Sequence, residues 1–172
     1  MVQELSDLRA SIVEKRYEDA LTILDEMESM SKEQILQNIE SFLVRMLVHL
    51  IKNQVEQRLT NSWAASIEGS LIRIKKLNLK ANKTSYYLKE NEWEELLEGA
   101  FNEAISPASA EIFEGIYSPK QLRAMIDREV TIGVAQSLLN LTYAHPSKEL
   151  PGIIQEKLSE LPGGEEWELG NR

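Results

Sequence analysis

His49 and His145 are the only imidazoles in the 172 residues, and there is no cysteine. Acid–base chemistry near neutral pH would therefore rest on His49, one turn after Met46 in an apolar helical stripe. Arg45 lies four residues earlier, on the same helical face, so the two side chains could act on one phosphate. Lys52, Arg58 and Arg73 follow, with Ser62, Trp63 and Ser66 between them. Where a helix begins, its free amides and its dipole favour negative charge. Three cations beside Trp63 at such a point could form an anion pocket. The structural readings are preferred. His49 is then a boundary histidine, since one imidazole without a second ligand or an orienting carboxylate is a weak catalytic signal. Trp63 is a plug between helix ends, and the cations pair with the acids of Glu18–Glu28.

These residues depend on the helices that carry them. Leu5, Leu8, Ile12 and Val13, then Ala20, Leu21, Ile23, Leu24 and Met27, give one-sided helical spacings over about 3–16 and 17–30. They predict one bent helix or two. Ser31-Lys32-Glu33-Gln34 has the form of a capping box, predicting a new helix over 32–58. Thr60-Asn61-Ser62 supplies cap residues for another over 63–79, antiparallel to the previous one because the connector is short. A further helix is expected over 85–105, a stop and restart at Ser106-Pro107, and a second capping box at Ser118–Gln121. Residues 119–143 read as helix, His145-Pro146 as its end, and 151–161 as a last short helix. The expected fold is an all-α antiparallel bundle with additional C-terminal helices. A single domain over 1–161 would be followed by a mobile acidic tail, 162–172. Gly69 and Gly99 fall inside helices, where close helix approach would explain them.

Composition narrows the function. The net charge is -9, which disfavours a general role on nucleic acid. Arg73, Lys75, Lys76, Lys80, Lys83 and Lys89 nonetheless form an acid-free basic stretch over 71–89, which could meet a phosphate backbone, an acidic partner or only solvent. No apolar run approaches the 18 residues of a membrane span, and no signal-type segment opens the chain. A cytoplasmic protein is expected, with no metal, no cofactor and no indicated reaction.

The order His49-Leu50-Ile51-Lys52, Arg58, Ser62-Trp63, Ser66-Ile67, Arg73 resembles a bacterial family, common in cyanobacteria, filed as domain of unknown function number twenty-nine. The likeness covers about 17–105, including the acidic Ile23–Met30 and the Ala100, Phe101, Ala104 helix. The chain departs from it at Gln54–Gln57, where the family has a Gln-Pro turn, at Ser31, near a family glycine, and at Asn53, where an aromatic is usual. The resemblance implies a helical fold and no reaction. Arg45 and His49 also resemble the Arg-(four to six)-His motif of helical-bundle ribonucleases, with a gap of three. The leading expectation is a protein-interaction or scaffold module, self-associating through the apolar segment Ile132–Leu141. Nucleic-acid binding through 71–89 and a ribonuclease using Arg45 and His49 are the alternatives.

Overall fold

The computed structural model describes residues 2–170. They form eight α-helices: α1 (Val2–Val13), α2 (Tyr17–Glu56), α3 (Asn61–Asn78), α4 (Glu94–Glu111), α5 (Pro119–Met125), α6 (Arg128–Ala144), α7 (Leu150–Leu158) and α8 (Gly164–Glu168). A 3-10 turn, Ile112–Gly115, lies between α4 and α5. Among the described residues the only β pairing is an isolated bridge between Leu79 and Tyr86. The fold is all-α, as the periodicity implies.

Two compact units are present, one up to Asn38 and one from Ile39 onward. The first is a helical hairpin. A turn at Glu14–Arg16, with Lys15 at φ 61°, separates α1 from α2, so the bent-or-two question resolves as two helices. Ser11 and Ala20 are buried at the turn end, and Leu8, Ile23 and Met27 are half-buried along the hairpin.

In the second unit the stripe Ile39, Leu43, Met46, Leu47, Leu50 and Ile51 of α2 is buried. Ile67, Leu71 and Ile74 of α3 and Leu97, Phe101 and Ala104 of α4 are buried with it. Helices α6 and α7 both pack on α3.

Several expected boundaries move. The Ser31 box starts no helix, because α2 runs from Tyr17 to Glu56 without a break. A box caps only where the preceding helix stops, and no Gly or Pro stops it here. Helix α4 begins at Glu94 rather than near Ser85. The Asn78 side chain holds the preceding loop instead, accepting from the Leu88 amide at 2.7 Å and donating to the Leu88 carbonyl at 3.0 Å. Pro107 lies inside α4 and does not restart it. The Ser118 capping box forms as expected, with both of its hydrogen bonds.

Helix α6 starts separately, capped by Asp127, whose side chain accepts from the Val130 amide. In the segment Ile132–Leu141, Ala135, Leu138 and Leu139 are buried, and Ile132, Val134 and Leu141 are half-buried.

The acidic end, expected to be mobile, carries α8, and the Trp167 indole donates to Asn61 Oδ1 at 3.2 Å. Its start is tightly packed. A Cβ on Gly163, which sits at φ 72°, would lie 2.7 Å from the Arg58 Cα, and one on Gly164 2.4 Å from the Ser159 carbonyl oxygen. Gly69 has nothing within 4 Å of such an atom and Gly99 only Glu40 Oε1 at 3.9 Å, so close helix approach explains neither.

Candidate functional site: the joint between the second and third helices

The joint is built by three local devices. Gln57 takes φ 54° just after α2 ends and turns the chain. Thr60 caps α3, its hydroxyl oxygen accepting from the Trp63 amide at 3.1 Å. Asn53, buried near the end of α2, donates to the Arg58 carbonyl at 3.0 Å and to the Pro162 carbonyl at 2.8 Å. The connector is thereby tied both to α2 and to the chain just before α8.

Trp63 is the centre of what gathers there. It is 7% exposed. The Lys52 ammonium lies 4.7 Å and the Arg58 guanidinium 4.8 Å from its ring centroid, both within cation–π range. The His49 ring centroid is 6.4 Å away. Lys52 is also buried and has Glu111 Oε1, from the end of α4, at 3.6 Å. Arg58 donates to Glu56 Oε1 at 2.9 Å. The carboxylates beside these cations are thus Glu111 and Glu56.

Four of the candidate residues therefore come together: His49, Lys52, Arg58 and Trp63. Three do not join them. Ser62 is exposed and Ser66 is half-buried. Arg73 is exposed, ten residues along α3 from Trp63, about 15 Å at the helical rise. The expected convergence of Lys52, Arg58 and Arg73 is not formed. The two cations that do converge are each matched by a carboxylate, which leaves little positive field for an anion.

His49 sits among these groups as a neutral ring. Burial, with Lys52 and Arg45 as nearby positive charges, pushes its pKa from 6.5 down to about 4, and Glu111 offsets part of this. Its Nδ1 is buried without a hydrogen-bond partner among the described residues. Among the described residues no carboxylate is hydrogen-bonded to the ring at that nitrogen. Arg45 lies over the Phe42 ring, 5.5 Å from its centroid.

The basic stretch is also partly spent. Lys75 is buried, and its ammonium donates to the Thr142 and His145 carbonyls, both at 2.6 Å, at the end of α6. Burial lowers its pKa. Arg73, Lys76, Lys80, Lys83 and Lys89 stay exposed. The residues that sequence reasoning missed at the joint are Asn53, Glu56, Glu111, Pro162 and Gly163. Four are anonymous surface types in a sequence, and Asn53 stood out only as a departure from the family pattern.

What these elements define is an all-α protein in which a clamped helix–connector–helix joint carries its most distinctive residues. The chain belongs to the family described as Domain of unknown function DUF29, whose model matches residues 3–127. The match extends the expected likeness at both ends, taking in α1 and stopping at Asp127, the cap of α6. No curated protein and no solved structure matches the chain. Among the described residues no helix is long and apolar enough to cross a membrane.

Proposed function

We propose that the chain is a protein-docking module without catalytic activity of its own, and that its docking surface is the N-terminal hairpin rather than the joint. One observation carries this reading. Leu5, Ile12, Tyr17, Leu21 and Leu24 are between 40% and 59% exposed within a single short hairpin.

They also share a side. Successive helical residues turn by about 100°, so residues three, four and seven apart return to one face. Measured from the contact line through Leu8, Ser11, Ala20 and Ile23, all five lie on the same flank of the hairpin. The opposite flank is polar and is lined by Asp7, Arg16, Asp19, Thr22 and Glu26. A two-helix hairpin with one polar and one apolar flank is an incomplete bundle, and a further helix would complete it.

The joint supports this division of labour from the other side. Its aromatic is covered, its cations are matched and its histidine is neutral, which suits a lock. The basic stretch 71–89 supports contact with a phosphate backbone less well, since Lys75 is taken up by α6. The ribonuclease reading gains nothing from an unoriented His49.

A Leu21→Asp, Leu24→Asp double variant tests the proposal. It is expected to keep the helical circular-dichroism spectrum while losing most of the fluorescence enhancement of an apolar dye bound by the dilute wild-type protein. Loss of the helical spectrum, or unchanged dye binding, would count against a solvent-facing apolar flank on the hairpin.

A further inference from the structure

The end of α3 away from the joint carries charge that the fold does not use. Lys75 is taken up by α6, but Arg73, Lys76, Lys80, Lys83 and Lys89 all stay exposed. The backbone gathers them. Arg73 and Lys76 stand three apart in the last two turns of α3, on its solvent side, opposite the buried Leu71, Ile74 and Asn78. The chain turns directly beyond: the Lys83 amide donates to the Lys80 carbonyl and the Lys80 amide to the Ser85 carbonyl, both at 2.8 Å. Asn78 ties the returning segment to the helix end, its carbonyl accepting from the Tyr87 amide at 2.9 Å and its side chain holding Leu88. Lys89 therefore emerges beside the last turn of α3. Among the described residues none of the five forms an ion pair. The acids nearest in the chain are Glu90 and Glu92, and Glu92 accepts from the Lys89 amide at 2.7 Å.

We propose that this end of α3 and its loop bind the phosphate backbone of a nucleic-acid duplex without reading its sequence. What surrounds the cations selects this partner over others of like charge. A protein partner needs an apolar centre within a polar rim. A membrane surface holds a protein by apolar groups sunk among the headgroups as well as by charge. Here every large apolar side chain from 71 to 93 is buried or half-buried. A phosphate backbone needs only cations. A single strand would stack its bases on open aromatic faces. Tyr86 packs edge-on against Tyr143, their ring centroids 4.7 Å apart, and the Lys80 ammonium lies over Tyr87, 5.4 Å from its centroid. A duplex, whose bases stay stacked on each other, asks for no such platform. Four of the five cations are lysines, point charges rather than the planar fork that reads a guanine edge. The net charge of -9 opposes the approach of a polyanion, but at physiological salt charges beyond about 8 Å are screened. The surface shares no residue with the docking flank of the hairpin, so either reading can fail without the other.

Fluorescence anisotropy of a labelled mixed-sequence DNA duplex, titrated with the full chain from about 50 to about 200 mM salt, tests this. Five phosphate contacts predict a slope of log affinity on log salt of about -4.5, with a second duplex of unrelated sequence bound equally well. The triple variant Lys76→Ala, Lys80→Ala, Lys83→Ala should reduce the magnitude of that slope by about 2.7 and weaken binding throughout the range. All three side chains are exposed, so the changes spare the core. Lys32→Ala with Lys120→Ala, two exposed cations elsewhere in the chain, should alter neither slope nor affinity. No binding at about 50 mM salt, or a slope unchanged in the triple variant, would overturn the proposal. So would a preference for polyglutamate or for phosphatidylserine vesicles at equal charge concentration, which would make the partner an acidic protein or a membrane.

Discussion

Trp63→Ala is expected to lower the unfolding free energy by roughly 3–5 kcal/mol, the cost of truncating a large buried aromatic to alanine. Trp63 is almost fully buried, and it is the surface on which Lys52 and Arg58 rest. Removing the ring opens a cavity between the end of α2 and the start of α3. It also leaves the buried Lys52 ammonium with Glu111 alone at 3.6 Å. Arg73→Ala is the matched control. It removes a residue of the same family signature, but an exposed one, and should change stability by no more than about 0.5 kcal/mol. Urea unfolding of the two variants beside the wild type measures the contrast. Equal effects would mean that the signature acts as one unit, contrary to the geometry.

The second large effect is an acid sensitivity centred on His49. In the folded chain this ring titrates at about 4 and in the unfolded chain at 6.5. Between those values the unfolded state binds a proton that the folded state refuses. Stability is therefore lost as pH falls from 6.5 towards 4, and the loss is complete below the folded value. The separation corresponds to about 3 kcal/mol at most. His49→Gln does not titrate in this window, so its stability should fall less on acidification than that of the wild type. Subtracting one profile from the other removes the contribution of carboxylates that titrate nearby. Parallel profiles for the two proteins would show that the ring is not held neutral. The sign also bears on function: an imidazole that stays unprotonated down to about pH 4 is a poor general acid at neutral pH.

Much of the fold was legible because helices leave local marks. The α2 stripe from Ile39 to Ile51, the Thr60 cap and the Ser118 box all follow from spacing and side-chain chemistry over a few residues. The errors have a common cause. Ser31 has the residues of a cap, but capping requires that the upstream helix end, and nothing ends it. Ser85–Trp93 reads as helix locally, yet the buried Asn78 amide, held also by the Tyr143 hydroxyl at 3.0 Å, fixes it as a loop. At the joint, the sequence draws attention to His49, Lys52, Arg58 and Trp63. It does not disclose that Glu111 and Pro162, both distant in the chain, complete the arrangement. The exposed flank of the hairpin was hidden for a different reason. Leu5, Ile12, Leu21 and Leu24 have the spacing of a bundle helix, and spacing alone does not say whether a face finds its partner within the chain.

The central claim is that the hairpin meets partners while the joint holds the chain together. Native-state hydrogen exchange on the dilute protein tests this most directly. Amides of residues 49–73 are expected to exchange only through global unfolding, while those of residues 5–24 exchange faster, as an incomplete bundle would. Equal or greater protection over residues 5–24 would contradict the account.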